Sequence, residues 1–169
     1  VEIWLEKEAL ATVFAPRCEQ YGVTLQICRG YPSISCLWAA GQRGVERILY
    51  FGDFDPSGQD IPRCIEDELE RPWDCPVDLT IIALKPEQIE RYDLPPAPAK
   101  ATDSRTAGFT ARHGDDTWEL DALPPDELGR MIGNAIESEI TNRREFNAQT
   151  RRGEQERRRL QEIIDGIGE

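Results

Sequence analysis

The chain has 169 residues, 39 % of them hydrophobic, which is enough for one domain with its own core and too few for two. Its 32 acidic and 20 basic side chains leave a formal net charge of −12, a balance that repels nucleic acid at long range unless cations or local basic groups intervene. No apolar run approaches the ~20 residues of a membrane-spanning helix and no charged-then-apolar leader is present, so a cytoplasmic protein without a membrane partner is expected.

The run at 1–5 (VEIWL) predicts a strand, and its first residue, Val1, fits a chain that begins inside a longer gene product. Leu10, Val13, Phe14 and Cys18 recur at helical spacing over 7–20, with Pro16 bending or shortening that helix. Gly22 breaks it, and 23–28 (VTLQIC) alternates like a strand. Gly30, Tyr31 and Pro32 form a turn, after which Ser33 suits the N-cap of a helix through Leu37, Trp38 and Ala40 that ends at Gly41 and Gly44. A third strand, 48–51 (ILYF), is apolar enough to be covered on both faces. A turn over 52–58, a helix over about 59–70, a fourth strand over 77–84 (VDLTIIAL) and a short helix opened by Pro86 follow. Strands and helices alternating with short connections imply a largely parallel sheet, with ligands at the carboxyl ends of its strands.

Beyond Tyr92 the pattern changes. Residues 94–100 (LPPAPAK) are extended and Pro-rich, 102–117 read as a long polar loop, and 118–123 (WELDAL) as a short strand or turn. Leu128, Met131, Ile132, Ala135, Ile136 and Ile140 form one helical stripe after Pro124 and Pro125, and the charged segment that follows continues that helix to about Ile164. Residues 1–140 carry 13 basic and 26 acidic side chains; residues 141–169 carry 7 and 6. The arginines Arg143, Arg144, Arg151, Arg152, Arg157, Arg158 and Arg159 are interleaved with glutamates, the pattern of a solvated helix laced with ion pairs, with nucleic-acid contact as the alternative.

Five cysteines without a C-x-x-C pair, and a single histidine, His113, disfavour structural zinc, a disulfide framework and His-based catalysis. Metal chemistry, if present, falls to carboxylates and a hard ion. Glu6 follows the first strand; Asp53 and Asp55 follow the third, in Asp53-Phe54-Asp55-Pro56-Ser57-Gly58. Two aspartates one residue apart share a face, and neighbouring strands bring Glu6 beside them. Three such carboxylates suit Mg²⁺ or Mn²⁺. Ser57 and Gly58 open the next helix, where backbone N–H groups suit phosphate. Read alone, the D-x-D-P-S-G stretch is also a good helix-capping turn. The joint pattern with Glu6 is more specific. Glu119 and Asp121 repeat the alternate-carboxylate spacing as candidate ligands of a second metal, or as the outer face of a strand. Lys7, Arg29, Lys100 and Arg105 are candidate phosphate contacts. Trp4, Trp38 and the four tyrosines read as packing residues.

Glu6-Lys7-Glu8, Arg29-Gly30-Tyr31-Pro32 and Asp53-Phe54-Asp55-Pro56-Ser57-Gly58, in that order after three strands, resemble the Toprim domain, in the version found in the topoisomerase VI A subunit, its meiotic double-strand-break relatives and old-type nucleases. The resemblance covers roughly residues 1–90; residues 95–123 resemble the tail of uncharacterised phage and bacterial Toprim proteins. Haloacid-dehalogenase-like phosphatases also carry D-x-D at a strand end, but on their first strand, and they leave Glu6 unexplained.

The resemblance implies an α/β, Rossmann-like Toprim fold: a mostly parallel four-stranded sheet with helices on both faces and a helical C-terminal extension. Residues 1–92 would form the core, 93–123 would complete the domain, and 124–169 would extend it. It implies Mg²⁺-dependent phosphoryl transfer on nucleic acid, DNA in preference to RNA, with Asp53 and Asp55 holding the ion and Glu6 as ligand or general acid/base. The topoisomerase relatives carry their nucleophilic tyrosine on a separate upstream domain, so this chain alone is not expected to be a topoisomerase. The alternative is a non-catalytic metal-binding or protein-interaction module that works with a partner or a further domain.

Overall fold

The computed structural model describes residues 1–98, 106–141 and 143–167. Its centre is a four-stranded, all-parallel sheet of β1 (Glu2–Leu5), β2 (Thr24–Ile27), β3 (Arg47–Phe51) and β4 (Asp78–Ala83), in the order β2-β1-β3-β4. β1 and β3 lie in the middle and bury almost every residue, which is why both read as uninterrupted apolar runs. Alternate side chains feed two cores. Ile3, Leu5, Leu49 and Phe51 face α1 (Ala11–Tyr21) and α6 (Pro125–Ser138). Trp4, Ile48 and Tyr50 face α2 (Ile34–Arg43) and α3 (Pro56–Trp73). The expected α/β architecture, with helices on both faces, is therefore present.

Capping chemistry sets the helix ends. Ser33 Oγ accepts from the Cys36 N–H at 3.2 Å, and Gly44, at φ +63°, ends α2. α2 runs through Gly41 instead of ending there. Helix α1 is preceded by a 3-10 turn over Glu8–Leu10 and continues through Pro16. Helix α3 starts at Pro56, earlier than expected, because Asp55 caps it and Pro56 suits the first helical position. α4 (Pro86–Tyr92) follows β4.

Two expectations fail after Tyr92. Helix α5 (Thr106–His113) replaces much of the long loop, anchored by Phe109, which is buried. It lies between β5 (Ala97–Pro98) and β6 (Asp116–Thr117), which pair antiparallel. Second, α6 does not run into the charged segment: it ends at Ser138, and α7 (Arg143–Ile167) is a separate helix. Leu128, Ile132, Ala135 and Ile136 of α6 belong to the same core as Ile3 and Phe14, whereas Leu160, Ile163 and Ile164 of α7 are exposed.

Trp4 is fully buried; its indole N–H donates to Glu2, a buried carboxylate that Arg43 also holds. Trp38 corrects the packing expectation, being 51 % exposed. Tyr31 is exposed as well, with its hydroxyl donating to Asp60 at 2.7 Å. All five cysteines are free thiols, only Cys18 and Cys28 being buried. Among the described residues no helix is long and apolar enough to cross a membrane.

Candidate functional site

Pairing of β1 with β3 sets Leu5 beside Phe51, and the Glu6 N–H extends that ladder to Phe51 O at 2.9 Å. Glu6 therefore leaves β1 next to the loop that leaves β3. One oxygen of each carboxylate is held by the fold. Glu6 Oε2 accepts from the Tyr50 hydroxyl and the Asp53 N–H, both at 3.1 Å. Asp53 Oδ1 accepts from the Leu120 N–H at 2.7 Å. Asp55 Oδ1 accepts from the Gly58 N–H at 2.6 Å and from Ser57 Oγ at 3.0 Å. Ser57 and Gly58, expected to meet phosphate, are thus turned onto Asp55 as its capping partners. Gly52 makes the Glu6 placement possible, since a Cβ there would lie 2.5 Å from Glu6 Oε2 and 2.6 Å from the Tyr50 ring.

The electrostatics follow from this crowding. Burial, then the charges of Asp53 and Asp55, push Glu6 up to about 7 against the weaker opposing effect of its hydrogen bonds. Burial also raises Asp53, although the Leu120 N–H and the Lys7 charge oppose it. Tyr50 is held well above the usual phenol range by burial and by the Glu6 charge, so its hydroxyl stays a donor.

Glu6 makes stability depend on pH. Its folded-state pKa lies above the unfolded value of 4.5, so between about pH 4.5 and 7 the folded chain holds a proton that the unfolded chain has lost. Stability therefore falls as pH rises through that window, by about 2–3 kcal/mol in full for a half-buried group. Glu6→Gln keeps both acceptor contacts without the titration. Its melting temperature should exceed wild type near pH 8, with the gap closing towards pH 4. A gap that does not change with pH in melting curves would contradict the raised Glu6.

Lys7 bridges Glu119 at 2.7 Å and Asp121 at 2.6 Å. Burial opposes its charge, but these two carboxylates outweigh that and raise its pKa. The candidate second-metal ligands thus already share an ammonium. The backbone between them supplies the Leu120 N–H that caps Asp53. This segment is fixed by a two-bond bridge between Phe54 and Trp118, at 2.8 and 3.0 Å, followed by a 3-10 turn over Leu120–Ala122. Arg29 follows β2 in a left-handed turn (φ +53°) and pairs with Glu8 at the exposed rim. Lys100 and Arg105 lie outside the described residues.

Two hydrogen-bond partners escape sequence reasoning: the Tyr50 hydroxyl on Glu6 and the Leu120 N–H on Asp53. Period-2 alternation could have placed Tyr50 on the opposite face from Phe51, but a main-chain donor leaves no mark in a sequence.

In donor chemistry the site fits a hard divalent cation. Among the described residues no protein donor reaches Glu6 Oε1, Asp53 Oδ2 or Asp55 Oδ2. These are oxygen ligands of the right class, and a cation would relieve the mutual repulsion that adds to burial in raising Glu6 and Asp53. As they stand, no three His, Cys, Asp or Glu side chains among the described residues are gathered as a metal-holding group. No protein-family model matches the chain, and no curated protein matches its sequence.

Proposed function

We propose that this protein acts on nucleic-acid phosphodiesters in a Mg²⁺- or Mn²⁺-dependent reaction, cleaving or nicking DNA in preference to RNA. The observation that carries this reading is the juxtaposition of Glu6 with Asp53 and Asp55 at the carboxyl ends of adjacent parallel strands. Asp53 and Asp55 would hold the ion through their outward oxygens, with Glu6 beside them. A bound divalent ion supplies positive charge next to the phosphate oxygens and lowers the pKa of water. Glu6 takes a proton from the attacking water and can return it to the leaving oxygen as the P–O bond breaks, and Tyr50 and the Asp53 N–H fix its orientation. Lys7, already bridged to Glu119 and Asp121, would have to leave one of them to offset charge on the phosphate. A basic partner or further domain would help an acidic body hold DNA.

Titration of Mg²⁺ or Mn²⁺ tests this, with melting and nicking of supercoiled plasmid followed together. Wild type should be stabilised by the ion and should nick; Asp53→Asn/Asp55→Asn should do neither, with cleavage down at least a hundredfold. Indifference of both proteins to metal, with intact plasmid, would refute the reading. The second reading is a non-catalytic module, favoured by the Lys7 ammonium that already ties up Glu119 and Asp121. It predicts metal or partner binding without cleavage.

A further inference from the structure

Phe54, between the two aspartates, points away from them and packs on α5, with its ring 5.5 Å from Phe109 and 5.1 Å from His113. The carboxylate loop thereby positions a second feature. Between α3 and α5 lies a cleft of about 520 Å³, within the roughly 300–1,000 Å³ usual for small ligands. Pro56, covalently next to Asp55, forms one wall, so the cleft begins one residue along the chain from the carboxylate loop, and none of Glu6, Asp53 and Asp55 lines it. Gln59 and Arg63 also line it from α3, and Arg112 and His113 from α5.

The cleft carries mixed charge, since the acidic Asp60 lines it together with the two arginines. Arg63 arrives already paired with Asp60 at 2.7 Å and Asp67 at 2.6 Å. Arg112 does not: its Nε donates to Gly108 O at 3.0 Å, and its two terminal nitrogens have no partner among the described residues. That guanidinium edge can donate two parallel hydrogen bonds to a phosphate. His113 is exposed, its ring held by Phe54 and Phe109, and it offers a flat face and ring nitrogens. Gln59 adds an amide that can meet a base or sugar edge.

The geometry points to this cleft as a seat for one nucleoside phosphate unit, with Arg112 on the phosphate and His113 beside the base. Resting on the function proposed above, the unit is the nucleotide next to the phosphodiester that the carboxylates address. A nucleotide within a strand and a free nucleoside monophosphate share this chemistry.

The test is fluorescence anisotropy with a labelled single-stranded oligothymidylate of about twelve nucleotides, in chelator and across a salt series, with cleavage assayed separately in metal. Arg112→Gln should weaken binding roughly five- to tenfold. It should also flatten the slope of log affinity against log salt by about 0.7, the signature of one lost phosphate contact on a single strand. A merely structural role would not move that slope. Melting should be unchanged, because the guanidinium is exposed. Arg112→Glu should weaken binding further, and His113→Asn serves as the independent second variant.

Competition by thymidine monophosphate would show that the cleft accepts free nucleotides; strand binding that the monophosphate does not disturb would restrict it to strands. Both results support the seat. Wild-type affinity and slope in Arg112→Gln, or no oligonucleotide binding by wild type, overturn it. Failure of the catalytic reading is separate: if wild type never cleaves yet Arg112→Gln weakens binding, the cleft stands and the catalysis falls. If wild type cleaves, Asp53→Asn does not, and Arg112→Gln binds normally, the cleft falls and the catalysis stands.

Discussion

Gly58→Ala should lower the melting temperature by roughly 5–10 °C, about 2–4 kcal/mol for a chain of this size. The sign is opposite to the usual one. Alanine for glycine in a helix normally stabilises by up to about 1 kcal/mol. At Gly58, however, a Cβ would sit 2.2 Å from the Asp53 carbonyl oxygen and 3.0 Å from its carbon. Backbone must therefore move, and this backbone is tied on both sides. Asp53 is clamped by the Leu120 N–H, Phe54 is bridged to Trp118, and Asp55 caps α3 through the Gly58 N–H itself. The glycine in the D-x-D-P-S-G stretch is thus needed for close approach of the loop to the helix, a steric demand separate from any phosphate. Gly153→Ala in α7 is the matched control, since nothing lies within 4 Å of a Cβ there. It should melt at or above wild type. A Gly58→Ala protein as stable as the Gly153→Ala protein in thermal denaturation would show that the loop can yield.

Most of what positions the site was legible because it depends on period and adjacency. The apolar runs at 1–5 and 48–51 are adjacent central strands, so Glu6 and Asp53, which come after them, meet at the carboxyl end of the sheet. Trp38 departs from the packing expectation although its helix lies where the spacing predicts. Leu37 and Ala40 form the inward stripe of α2, and a residue one step from Leu37 is rotated by about 100°, which carries the indole outward. Helix α5 was missed because TAGFTARH has one buried apolar anchor, Phe109, and too little periodicity to register. The break after α6 was missed because Ile140 continues the apolar spacing and no glycine or proline marks the stop. The partners of the carboxylates are long-range: Leu120 lies 67 residues from Asp53, and its contribution is a main-chain N–H that any residue but proline could supply.

Phe54→Ala should cost about 3–5 kcal/mol, the range for deleting a buried aromatic ring, since Phe54 is 4 % exposed. Its further effect is local. Phe54 joins the aspartate loop to Phe109 and His113 of α5 and, 6.0 Å away, to Trp118. Without the ring, α5 loses the packing that joins Phe109 and His113 to the loop, so amide exchange over residues 106–113 should accelerate beyond the change in global stability. Phe14→Ala supplies the comparison. Phe14, 0 % exposed, packs edge-on from α1 against Phe51 at 4.9 Å and has no ring contact with α5 among the described residues. It should lose similar stability, with α5 exchange rising only as far as global unfolding requires. Phe54→Leu refills most of the volume and should fall between wild type and Phe54→Ala in both measurements. Equal exchange over 106–113 in the two alanine variants, compared at matched stability, would mean that α5 is held by the rest of the core. The cleft and the carboxylates would then be neighbours without being mechanically joined through this ring.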